Sequence, residues 1–201
     1  MFVKTSIFKK LCKEAWKGRG LVIHGNEDKL IISGEYWWVE VGYEEITNPE
    51  KAVLVELTGH VPEEGEHFKS YKDDNTTVNQ QVMPGYGVFS MKEAKDFRDE
   101  CVDTPLVITG QREAAVIRCK KTSDCIMIPR IIRQMVIREQ LEGDPDPWGA
   151  LRDTDYPYVV VWTNGLMTVG CHVISVNDDS WQEGFMEFLK EIDLGEKYEV
   201  E

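Results

Sequence analysis

No apolar run in this chain approaches the ~20 residues that a membrane-spanning helix needs. The opening stretch, MFVKTSIFKKLCKEAWKGRG, has no uninterrupted apolar core and no small-residue cleavage site, so it does not read as a secretory signal. Cysteine is sparse and odd in number, with Cys12, Cys101, Cys119, Cys125 and Cys171 widely spread and no C-x-x-C. Neither a disulfide framework nor a zinc site has that spacing. A cytoplasmic protein with reduced thiols is expected; Cys119 and Cys125, flanking a turn, are placed to meet across a hairpin.

Catalytic signatures are missing as well. GYGVFSM lacks the third glycine of a dinucleotide fingerprint, and neither G-x-x-x-x-G-K-[ST] nor G-x-S-x-G occurs. There are four histidines: His24, His60, His67 and His172. Cys171 and His172 are neighbours, but adjacent strand residues point apart, so they do not form a thiolate–imidazole pair. His60 and His67, with Glu63, Glu64 and Glu66 between them, are the metal candidates. Their HVPEEGEH spacing matches no ligand motif, and its Pro and Gly oppose a helical arrangement. Asp144, Asp146, Gly149 and Asp155 echo a calcium loop, but Trp148 stands where an oxygen ligand is wanted, and Asx–Pro turn chemistry is the plainer account. No cofactor and no metal are expected.

What is present is an ordinary globular composition, 42% hydrophobic and 29% charged over 201 residues, enough for a proper core. The net charge is −13, and it is uneven. Residues 1–20 balance at +5, 21–104 at −11, 105–135 at +4 and 136–201 at −11. An acidic surface of this kind attracts a basic partner and opposes non-specific nucleic-acid binding over the whole molecule.

Apolar residues Ile7, Phe8, Leu11, Cys12, Ala15 and Trp16 recur at helical spacing, predicting an amphipathic helix over 6–17 that ends at Gly18 and Gly20. LVIHG and KLIISGEYWWVEV read as a hairpin, with Gly34 in the second stretch as a bulge or a break between two short strands. In the second, alternation puts Trp37, Val39 and Val41 on one face and Tyr36, Trp38 and Glu40 on the other. Asn48-Pro49 begins a short helix ending at Gly59, with a buried strand as the alternative. Residues 60–86 are polar and turn-rich, predicting a long mobile loop. Ser90 and Glu93 form a capping box for a helix from Met91 through FSMKEAKDFRDEC. PLVITG, AAVIRCKK and CIMIP are successive strands, and a helix follows from about Ile131 to Glu142. DPDPWGALRDTDYP is a loop set by its prolines. Asn164-Gly165 between β-branched runs predicts a type I′ hairpin, and Ser180 caps a last helix to Ile192.

Together these elements predict a single α+β domain over 1–201, with a mainly antiparallel sheet built from hairpins and about four helices. The N-terminal order of elements resembles a single domain of the DNA sliding clamps. The Pro129 helix and the terminal helix depart from that pattern, and no clamp motif is present. The resemblance implies a nucleic-acid accessory acting through the basic hairpin.

Three functions are weighed. The leading one is a non-enzymatic regulatory protein whose acidic, aromatic-bearing surface binds a basic protein, as an inhibitor of a nucleic-acid-handling protein. Its partner-binding residues are Tyr36, Trp38, Glu40, Tyr43, Asp144, Asp146 and Trp148. The second is an enzyme with a carboxylate/histidine site in the 60–74 loop. The third is the clamp-like accessory, with Arg112, Arg118, Lys120 and Lys121 as contacts to phosphate or to an acidic partner.

Overall fold

The computed structural model describes residues 2–26, 28–72, 99–110, 113–137, 148–152, 157–174 and 181–192. Within them the chain is α+β. Four helices accompany ten strands, and the strands join in one antiparallel sheet in the order β4-β1-β2-β3-β10-β9-β8-β5-β6-β7. The strands are β1 Leu21–Asn26, β2 Lys29–Ser33, β3 Trp37–Gly42, β4 His67–Ser70, β5 Asp99–Ile108, β6 Ala114–Cys119, β7 Cys125–Pro129, β8 Trp148–Arg152, β9 Val159–Thr163 and β10 Met167–His172. Hairpins supply most pairings; the join between the two halves is long-range, with Val39 opposite Val169. The sheet bends back on itself at its far end. Ile174 N–H, just after β10, donates to Met127 O of edge strand β7 at 2.8 Å.

One face carries α1 (Thr5–Lys17), α2 (Asn48–Thr58) and α3 (Arg130–Met135). Phe8 and Leu11 of α1, Leu54 of α2 and Ile132 of α3 meet Ile23, Ile32, Trp37, Val169 and Trp162 in the main core. Burial of these large apolar groups is the main stabilising term. Glu50 of α2, 1% exposed, accepts hydrogen bonds from Thr5 and Thr47, which ties the starts of α1 and α2 together. Thr47, rather than Asn48, is the N-cap residue, and Pro49 lies within the first turn. On the other face, Met186 and Leu189 of α4 (Trp181–Glu191) pack on Ala114, Val116 and Met127.

Several expectations are corrected. The 60–86 segment is not one loop, because His67–Ser70 pairs with β1; residues 73–86 lie outside the described residues. Most of the helix expected from Met91 also lies outside them, but its last residues, Asp99 to Cys101, are strand, paired with β8 and β6. The helix after Pro129 stops at Met135 because Val136 bridges to Val3 and Ile137 N–H donates to Phe2 O. The stretch read as a proline-dictated loop contains β8, whose ladder with β9 shifts register between Trp148 and Leu151. The Asn164-Gly165 hairpin is present, but its last strand pair is Thr163–Thr168, and only Gly165 has positive φ. A type I′ turn needs positive φ at both central residues. Here Asn164 Oδ1 instead accepts from Leu166 and Met167 N–H, an Asx turn within a four-residue connection.

Candidate functional site

The predicted partner-binding residues divide between faces and ends of the sheet. Trp37 is core, as alternation requires, and Trp38 points the opposite way. Yet Trp38 is 2% exposed, packed with Val159 and Val161, so it is not a surface anchor. Glu40 shares that face and pairs with Lys29 at 2.7 Å. Tyr36 does not join them, because the strand begins only at Trp37 and Tyr36 packs against the main core. Alternation fails there because residues 34–36 form a turn closed by Gly34 N–H to Trp37 O. Tyr36 and Tyr43 thus lie at opposite ends of β3, roughly 20 Å apart at strand rise. Trp148 falls in β8, opposite Thr163. Asp144 and Asp146 lie outside the described residues.

Tyr43 is where charge and aromatic surface converge. Its N–H donates to Asp28 O at 3.1 Å, extending the β2–β3 ladder by one residue. Beside it the turn Glu63–Glu66 is docked on β1 by two backbone bonds, Gly25 N–H to Glu66 O and Gly65 N–H to Gly25 O, each 2.9 Å. Gly65, at φ 79°, makes the tight turn, which Glu66 N–H to Glu63 O closes. Gly25 permits the docking: a Cβ there would sit 2.1 Å from Glu63 O and 2.4 Å from the Tyr43 hydroxyl. Isolated glycine inside a strand marks this kind of close approach.

The docked turn brings Glu63, Glu64 and Glu66 beside Tyr43, where exposed Glu44 and Glu45 follow it in the chain. Burial raises the Tyr43 phenol pKa first, and the charges of Glu64, Glu66 and Glu63 push it further the same way. His60 answers one of these acids, with Nε2 3.4 Å from Glu66 Oε2, and its ring meets Phe68 edge-on. His67 faces away from that cluster, stacked on His24 across the β1–β4 ladder with centroids 3.9 Å apart. His60 and His67 therefore do not converge, and among the described residues no three His, Cys, Asp or Glu are grouped to hold a metal.

The basic residues of the β6–β7 region are largely engaged within the molecule. Arg118 donates to the carbonyls of Leu189 and Ile192 at the end of α4, the second at 2.6 Å. Lys120 pairs with Glu100 at 2.6 Å, Arg130 with Glu113 at 2.8 Å and Arg133 with Asp103. Lys121 is exposed in the turn, and Arg112 lies outside the described residues. Sequence spacing groups these cations, and the fold spends their charge on separate local partners.

A concavity of about 520 Å³ lies at the other end of β3. Glu14 of α1, Arg19 just beyond that helix, Glu35 and Tyr36 from the β2–β3 turn, and Gln134 from α3 line it. Arg19 and Glu35 pair across it at 3.1 Å, so its charge is mixed, unlike the acidic end.

No helix among the described residues is long and apolar enough to cross a membrane. Set against known protein families and curated proteins, the sequence matches none.

Proposed function

We propose that the protein is a binding protein whose acidic end, built on Tyr43 with Glu44, Glu45, Glu63, Glu64 and Glu66, engages a lysine- and arginine-rich surface of a protein partner. The observation that carries this reading is the Glu63–Glu66 turn docked on Gly25, which holds the backbone of three glutamates beside one aromatic ring. Carboxylates match guanidinium and ammonium groups, and a tyrosine rim supplies area at little entropic cost. A basic groove that otherwise holds nucleic acid is the matching target, so the protein acts as its competitor and inhibitor. The net charge of −13 speeds such encounters. Five unpaired thiols accord with a cytoplasmic setting.

Fluorescence anisotropy with a labelled Arg/Lys-rich peptide, titrated at rising salt, tests this. Affinity is expected to fall about tenfold or more between low and physiological ionic strength. Glu63→Lys with Glu64→Lys weakens it similarly, while Glu14→Lys with Glu35→Lys in the opposite groove leaves it unchanged. Affinity indifferent to salt, or equally sensitive to the groove variants, overturns the assignment.

A further inference from the structure

Cys101 and Cys119 are direct register partners on β5 and β6. In the adjacent pair, Lys120 N–H donates to Glu100 O at 2.8 Å. The cysteines therefore occupy a non-hydrogen-bonded position, where antiparallel Cα atoms lie ~4.5 Å apart, inside the span of a disulfide. Their sulfurs are 3.1 Å apart, about 1 Å beyond bonding distance. The partner foreseen for Cys119 was Cys125, but the hairpin register sets Cys125 opposite Arg118 instead.

The surroundings make the two thiols unequal. Arg152 Nη1 stands 3.6 Å from Cys119 Sγ and 3.6 Å from Asp124 Oδ2. The Cys101 S–H, and then the Arg152 guanidinium, hold the Cys119 thiol below its ordinary range against the opposing effect of burial. Cys101 is pushed up, because it keeps the proton they share and because it is buried. Cys12 and Cys171 are also pushed up by burial. Both thiols of the pair are buried, but Cys119 ends its strand and exposed Lys120 and Lys121 follow. The side chains of Arg152 and Asp124 beside it are 18% and 35% exposed.

We propose that Cys101 and Cys119 form a peroxide-reactive dithiol that closes to an intrachain disulfide. The Cys119 thiolate attacks the terminal O–H oxygen of a hydroperoxide, the O–O bond breaks with Cys119 left as sulfenic acid, and the alkoxide or hydroxide expelled takes up the proton that the Cys119 thiol released. Cys101 sulfur then attacks Cys119 sulfur, and the hydroxide expelled takes the Cys101 proton to leave as water. Two thiols are oxidised to one disulfide, and one peroxide is reduced. The bond forms beside the shortest join of the sheet, where β5 meets β8 through Asp99–Arg152 and Glu100–Leu151 alone. It also removes the negative charge facing Arg152, leaving that guanidinium to Asp124, which holds Lys190 of α4 at 3.0 Å.

Reduced, desalted protein is treated with hydrogen peroxide, denatured, alkylated and mapped by peptide mass. The expected product is a Cys101–Cys119 linked peptide with two hydrogens lost, and with Cys12, Cys125 and Cys171 still alkylated. Its melting midpoint rises by several degrees, reversibly on adding a thiol reductant. In Cys101→Ser the reaction stops at Cys119 sulfenic acid, which a cyclic dione traps. Five alkylated cysteines after treatment, a bridge between other residues, or sulfinic acid at Cys119 overturns the proposal. The wild-type map decides the matter even if Cys101→Ser does not fold.

Discussion

The indole of Trp38 fills the space that a side chain at position 170 would need. A Cβ built on Gly170 would lie 2.0 Å from Trp38 Cζ2, and the two residues are register partners on β3 and β10. The long-range join of the sheet thus rests on a ring laid across a glycine.

Gly170→Ala is expected to cost about 1–3 kcal/mol by overpacking, read from urea unfolding. In a Trp38→Leu background the added methyl has room, so the double variant loses less than the sum of the singles. Strict additivity would show that the ring and the glycine do not compete for space. Trp38→Ala alone should cost about 3–5 kcal/mol, the range for a large aromatic leaving a buried site.

At the acidic end, the Tyr43 hydroxyl is buried without a hydrogen-bond partner among the described residues. Tyr43→Phe removes an unsatisfied polar group and is expected to leave stability unchanged or raise it by up to about 1 kcal/mol. Gly25→Ala should behave in the opposite way, losing about 2 kcal/mol or more as the Glu63–Glu66 turn is forced off β1. Hydrogen exchange at Gly65 and at position 25 then accelerates, because the bonds from Gly65 N–H to Gly25 O and from Gly25 N–H to Glu66 O are lost.

Two histidines set an acid-side limit on stability. Burial lowers the pKa of His24 below its ordinary 6.5, with the charge of His67 adding to the effect, and burial lowers that of His172. Near and below pH 6.5 the unfolded chain therefore binds more protons than the native one, and stability rises with pH in that window. Unfolding free energy is expected to be at its plateau above about pH 7 and to fall as pH drops through 6.5 toward the lowered values. His24→Gln flattens part of that fall; an equally steep profile in the variant would reject the assignment.

Arg118 closes the end of α4. Arg118→Ala removes charged donors from the Leu189 and Ile192 carbonyls and should cost about 1–3 kcal/mol. Amide exchange is expected to rise in α4 before it rises in the central strands, because the lost contacts are local to that helix.

What the sequence determined by itself was local and periodic. Helical spacing of Phe8, Leu11 and Cys12 specified the buried face of α1, and all three are buried. Alternation set Trp37 against Trp38, and β-branched runs marked β9 and β10. Those signals follow from the 3.6- and 2-residue repeats, which need no knowledge of neighbours. The tertiary structure decided everything that depends on which segments meet. Trp38 is buried because Gly170, over 130 residues away, offers it a flat floor. The Pro129 helix ends early because Val3 claims Val136. His67 turned to His24 instead of His60, and Cys119 to Cys101 instead of Cys125, because register between strands selects partners that spacing along one strand cannot. The acidic end itself was half legible: its glutamates and Tyr43 stand plainly in the chain, but only the close approach at Gly25 makes them one surface.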